Sequence, residues 1–245
     1  MPDEMPYKQL GEYDLANPTA PRIVCVADHA SNHVPADLQL GITRDLLDTH
    51  IAIDIGVEGV AQRLARSHAI PAHIATVSRL VVDLHREEDH PKVIPMDSDG
   101  HVIPGNIGAD TEMRLDRFYR PYHDALGAWL DVHAPELVLS IHSFTPKLET
   151  SSQQRPWQVG LLYNEDDRAA RHAIRLFGEL GLNVGDNEPY SGRELNATMN
   201  RHAEARGRPY CAIEIRQDLI ATRAQQTRWA AMVADVAGRV ALALE

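Results

Sequence analysis

The chain has 245 residues, 44% of them hydrophobic, and a formal net charge of −11, an ordinary composition for a globular protein. That acidity, with no basic stripe, excludes a general nucleic-acid binder, and no apolar stretch approaches the ~20 residues of a membrane helix. Its two cysteines, Cys25 and Cys211, each lie inside a short apolar run, which excludes a disulfide scaffold and predicts buried free thiols.

The N-terminal stretch MPDEMPYKQLGEYDL is polar and acidic, without the basic and apolar regions of a secretion signal, so a cytoplasmic protein is expected. Arg22–Ala27 (RIVCVA) reads as a buried strand running into a polar loop. Thr43–Ser67 carries Leu46, Leu47, Ile51, Ile55, Val60 and Leu64 at helical spacing, broken by Gly56 and Gly59, and predicts a helix or helix pair. Ile74–Leu84 is rich in β-branched residues and predicts a strand. From Glu87 to Asp110 periodicity is lost, which predicts a long loop, either a lid or a surface excursion. Thr111–Ala134 predicts a helix that Pro121 should kink or split. Leu137–His142 (LVLSIH) and Gln158–Tyr163 (QVGLLY) read as strands, and Asp166–Leu180 as a helix ending at Gly181. Leu195–Arg206 predicts a helix, Tyr210–Ile215 (YCAIEI) a strand, and Thr222–Leu244 a closing amphipathic helix.

Strands separated by helices of this length define β-α-β units, hence an α/β fold with helices on both faces of one sheet and a single domain over residues 1–245. Ligands in such sheets bind beyond the carboxyl ends of the strands. Three strands end at or near a residue that binds metals or moves protons: His29 past RIVCVA, His142 closing LVLSI, and Glu214 inside YCAIEI. A catalytic zinc takes three ligands from His and Asp or Glu and leaves a position for water. His29 and His142 occupy equivalent strand-end positions, which suits that role. For a third ligand, Asn32 follows His29 by three, but an amide is a poor zinc ligand. Asp54 sits among Ile51, Ile53, Ile55 and Val57, either as a ligand or as a surface or salt-bridge carboxylate. Glu214 in a buried strand should have a raised pKa suited to proton transfer, unless it pairs with Arg216. Arg79, Arg86 and Arg216 are candidates for holding a substrate carboxylate.

Taken in order, the blocks VADHASNHVP, HIAIDIG, SRLVVDLHR, LVLSIHSFTP, TMNRHA and AIEIRQDLI resemble the N-formylglutamate amidohydrolase family, over roughly residues 23–220. The resemblance implies a three-layer α/β/α sandwich with a mostly parallel mixed sheet, phosphorylase/hydrolase-like, as in zinc exopeptidases and N-acetylmuramoyl-L-alanine amidases. Similarity to the amidases implies Zn2+ held by His29, Asp54 and His142 with Glu214 activating water, and it selects Asp54 over Asn32 as the third ligand. His and carboxylate ligands also accept Mn, Fe, Co or Ni. The H-x-x-E pattern of the exopeptidases would fall on His29 and Asn32, and the chain departs from it. Their D-x-N-R substrate block corresponds to Asp83-Leu84-His85-Arg86, with His85 in place of Asn and Arg86 retained. The resemblance further implies substrate or transition-state contact by His202, structural support by His123, and a polar contact near Asn32. It implies hydrolysis of N-formyl-L-glutamate to formate and glutamate, as in histidine degradation, with a small anionic N-acyl amino acid as partner. A deacylase for another N-acyl amino acid, a peptidoglycan amidase, and a non-catalytic metal- or ligand-binding protein stay open as alternatives. Oligomeric state is not legible.

Overall fold

In chain order the elements are β1 (Tyr7–Leu10), β2 (Ile23–Ala27), α1 (Arg44–Leu47), α2 (Val57–Ser67), β3 (Ala72–Ala75), and the two-residue strands β4 (Asp97–Ser98) and β5 (His101–Val102). There follow α3 (Thr111–Arg114), α4 (Arg120–His133), β6 (Leu137–Phe144), β7 (Val159–Leu162), α5 (Arg168–Glu179) and β8 (Val184–Asp186). The chain closes with α6 (Ala197–His202), β9 (Tyr210–Arg216) and α7 (Arg223–Leu244). The computed structural model describes residues 5–14, 16–17 and 20–244.

Seven strands form one mixed sheet in the order β1-β3-β2-β6-β9-β7-β8. The central strands β3, β2, β6 and β9 run parallel; β1 pairs antiparallel to β3 and β7 antiparallel to β9, and β8 runs parallel to β7. The apolar runs of β2 and β6 are buried at every residue because helices cover both faces. Alternation along each strand divides the core. Cys25, Leu139, Ile213 and Leu161 point to α2, α5 and α7, whereas Val24, Val26, Val138 and Ala212 point to α4 and α6. α7 buries Trp229, Ala230, Val233, Val236, Ala237, Val240 and Ala241, the stripe a 3.6-residue period produces. Both thiols lie in the first of these layers, buried and unpaired. The result is the three-layer α/β/α sandwich expected from the sequence. Among the described residues no helix is long and apolar enough to cross a membrane.

One expected element is found in its two-helix form with a turn inside it, and two differ. The stretch 43–67 is two helices, with residues 48–56 forming turns between them, so Asp54 is not helical. The strand expected over 74–84 ends at Ala75. Beyond it Val77, Leu80, Val81, Val82 and Leu84 are buried in irregular backbone, tied by Ser78, whose Oγ donates to the Ala52 carbonyl at 2.8 Å. Its β-rich composition reflects burial, not extension. The helix over 111–134 continues past Pro121, because a π-helical turn at Leu115–Tyr119 shifts the backbone bonding just before the proline.

The 87–110 segment is tethered. Asn106 donates to the carbonyls of Leu80 and Pro95, and Arg114 reaches the Val81 carbonyl and Asn106 Oδ1. At the tip of the β4–β5 hairpin, Asp99 accepts from the Glu149 and Thr150 amides and lies 2.9 Å from His50 Nε2.

Candidate metal and catalytic site

Topology opens the site. β2 is flanked by β3 on one side and β6 on the other, which leaves a crevice at their carboxyl ends. Asp28 and His29 stand just past β2, and His142 and Glu214 are direct partners in the β6–β9 ladder. Asp54 enters from the turn before α2, where its amide donates to the His29 carbonyl at 2.9 Å. Two residues on, Gly56 has φ +87°, and a Cβ there would lie 2.2 Å from the Ile220 carbonyl oxygen. Only glycine lets that turn close.

His29 Nε2 donates to Asp83 Oδ1 at 2.8 Å, which fixes the tautomer and leaves Nδ1 as the free nitrogen. That nitrogen is buried and has no hydrogen-bond partner among the described residues. It lies 3.5 Å from Asp54 Oδ2, and His142 Nδ1 lies 2.9 Å from the same oxygen. One ligand atom from each of the three residues falls within 4.8 Å of the others. Two imidazoles and a carboxylate suit a divalent ion such as zinc, and the orphaned His29 nitrogen is what the fit rests on.

A second layer orients this one. Asp83 also accepts from the His85 amide and from Arg79 Nη2, both at 3.0 Å. Asp28, fully buried, accepts from the Tyr122 hydroxyl at 2.5 Å and from His85 Nδ1 at 2.9 Å, and lies 3.7 Å from His142 Nε2. Asp28 thus lies behind His142, but beyond hydrogen-bond distance, whereas Asp83 is bonded to His29. Asp28, His85 and His142 also bring possible ligand atoms within 4.8 Å of one another. There the Asp28 oxygens are bonded to Tyr122 and His85; in the first set Asp54 likewise accepts from Arg79 and Ser143 and lies against His142, while the His29 nitrogen has no hydrogen-bond partner among the described residues.

Charges within the cluster compensate. Burial opposes ionisation of Asp54, but His29 and His142 overcome it and hold its carboxyl below the usual range. Burial likewise opposes a charged His142, and the carboxylates of Asp28 and Asp54 hold its pKa at about 10. For Glu214 burial prevails: it pushes the carboxyl up to about 7, although His142 pulls it back. Its Oε2 has no hydrogen-bond partner among the described residues, and the alternative pairing with Arg216 is not made.

Of the other sequence candidates, Arg79 is at the cluster, bonded to Asp54 Oδ1 (3.3 Å) and Asp83 Oδ2 (3.0 Å). Arg86 reaches Asp83 at 3.6 Å. Three others are not brought to the metal ligands. Arg216 is held by Asp218 at 2.8 Å, and Asn32 donates to Asp48 at 2.7 Å. His202 stacks on His123 and donates through Nε2 to His123 Nδ1 at 3.0 Å, and His123 in turn donates to the Leu84 carbonyl. His202 is thus placed behind the 83–86 segment, which it reaches through His123. Asp28 and Tyr122 escaped the sequence reading. The carboxylate next to His29 was the available signal for Asp28; nothing local marks Tyr122.

The fold and these residues define an α/β/α sandwich with a metal-capable cluster at the carboxyl ends of its strands. A family model described as N-formylglutamate amidohydrolase matches residues 21–221, and the chain belongs to that family. A gene product of Agrobacterium tumefaciens of solved structure is 29% identical to it, with a TM-score of 0.87 over 98% of this chain and 96% of that one. The N-formylglutamate amidohydrolase from Ralstonia eutropha shares the fold at 22% identity, with a TM-score of 0.66 over 98% of each chain. No curated protein matches the sequence.

Proposed function

We propose that the chain is a metal-dependent amidohydrolase that cleaves a small anionic N-acyl amino acid, N-formyl-L-glutamate first among them, into formate and glutamate. The observation that carries this reading is the convergence of one ligand atom each from His29, Asp54 and His142, the His29 nitrogen unpartnered among the described residues, with the buried carboxyl of Glu214 on the strand paired to His142. His29, Asp54 and His142 hold the ion, with zinc preferred for this ligand set; when bound, it lowers the pKa of water and polarises the amide carbonyl. Glu214 takes the proton of the attacking water and delivers it to the leaving amine nitrogen. Asp83 keeps the His29 imidazole turned inward and Asp28 offers a buried negative charge behind His142, while Arg79 neutralises Asp54 and Asp83. Family membership supports the formyl substrate, and its products suit a cytoplasmic role in histidine degradation.

The test is formate release by the purified protein, before and after chelation and after restoration with Zn2+, Mn2+ or Co2+. Release that is lost on chelation and regained with one ion is expected. A metal-loaded protein inert toward formyl, acetyl and succinyl amino acids and toward muropeptides would overturn the reading.

A further inference from the structure

The arginines near the cleft differ in how their charge is met. Arg79 is shared by Asp54 and Asp83, Arg86 faces Asp83, and Arg216 is held by Asp218. Arg155, partly exposed on the loop after β6, has no carboxylate partner among the described residues. Its bonds go to neutral acceptors, the Thr145 carbonyl at 3.3 Å and the Tyr190 hydroxyl at 2.9 Å. Both use Nη1, which leaves Nε–H and Nη2–H, the edge that grips a carboxylate with two parallel bonds, without a partner among the described residues.

That edge is anchored on a turn that packs against the neighbour of Glu214's strand. Gly160 on β7 pairs in register with Glu214, and a Cβ on Gly160 would lie 2.0 Å from the Glu188 carbonyl oxygen. The turn leading to Tyr190 is therefore pressed onto the strand next to the proposed proton acceptor. Asn187 fastens it: its amide donates to the Leu161 carbonyl, and its Oδ1 accepts from the amides of Tyr163 and Gly192. The Arg155 guanidinium lies 4.7 Å above the Tyr190 ring. Burial raises the Tyr190 pKa, Glu214 raises it further, and Arg155 and Arg79 pull it back, so this hydroxyl lies within electrostatic reach of all three.

We propose that Arg155, aimed by Tyr190 and Thr145, binds a carboxylate of the substrate, and that Arg79 serves the metal-ligand scaffold instead. The proposal rests on reading the site as an N-acyl amino acid hydrolase, and its test separates the two. Calorimetry on the metal-loaded protein compares glutarate, a dicarboxylate, with butyrate, which has one carboxylate. Arg155→Met is expected to weaken glutarate binding about 10- to 100-fold, the loss of a charge-assisted bidentate contact, and to leave butyrate unchanged. Arg155→Lys, which keeps the charge without the fork, falls between the two proteins and covers a misfolded Met variant. In turnover, Arg155→Met raises KM with kcat nearly unchanged, and the penalty disappears on one of the two monoamides of N-formylglutamate. Glutarate bound no better than butyrate by the wild type, or equally by wild type and variants, overturns the proposal. So does a KM penalty equal on the diacid and both monoamides. A wild type that binds glutarate through Arg155 but releases no formate would sink the hydrolase reading and leave this subsite standing.

Discussion

A carboxyl that exchanges its proton near neutral pH is the most useful acceptor for water activation, and burial gives Glu214 that property. In the proposed reaction, Glu214→Gln keeps the size and removes the acceptor. Formate release is expected to fall about 10²- to 10⁴-fold with metal content unchanged, as read by single-turnover assay and elemental analysis. Asp83 acts one layer out, through the His29 Nε2 bond. Asp83→Asn should weaken metal affinity about 10- to 100-fold, visible in a chelator competition. Unchanged affinity would remove Asp83 from the ligand-orienting role.

At the level of elements, two contacts fasten loops to the scaffold. The glycine at 160 lets the turn carrying Tyr190 lie against β7. Gly160→Ala introduces a methyl where no space exists, and should destabilise the fold by about 1–3 kcal/mol in denaturant titration while weakening glutarate binding. At the hairpin tip, Asp99 gathers bonds from the 149–150 backbone. Asp99→Ala should lower stability by about 1–3 kcal/mol and speed amide exchange at residues 97–102 and 149–150, a pattern a solvent-exposed hairpin would not give. Some of this scale was legible in the sequence. RIVCVA, LVLSIH and YCAIEI read correctly as strands because a strand buried on both faces is continuously apolar, and their ends located His29, His142 and Glu214. Val77–Leu84 misled because a buried loop can be as apolar as a strand. β1 was missed because this edge strand includes Lys8 and Gln9 and is only partly buried. Asp83 as an orienting group and Arg155 beside Tyr190 depend on contacts between distant segments, which spacing does not encode.

For the molecule as a whole, three histidines away from the proposed metal ligands are kept neutral. Burial lowers the pKa of His73 and of His123 to about 3 and that of His202 to about 4, with the neighbouring His202 and Arg201 charges adding at the latter two. An unfolded chain protonates these rings near pH 6.5. Below that the unfolded state binds more protons, so their contribution is full above about pH 6.5 and declines as pH falls toward 4. Denaturant midpoints should therefore drop between pH 7 and pH 5, and a His123→Asn, His202→Asn double variant should flatten the slope. An unchanged slope would place the acid sensitivity elsewhere.

The π-helical turn at Leu115–Tyr119 has a consequence for chain length. It holds one residue more than a regular helix spanning the same distance, and a single residue rotates everything downstream by about 100°. Tyr119, Tyr122 and His123, which reach Arg86, Asp28 and Leu84, share one helical face, and the present phase turns that face toward these targets. Deleting one residue from the turn would give a more regular helix while swinging all three side chains off their targets. The placement of the buried Asp28 carboxylate behind His142 is thus sensitive to an indel in a helix that supplies none of the proposed ligands, and substitution scanning alone would not expose that dependence.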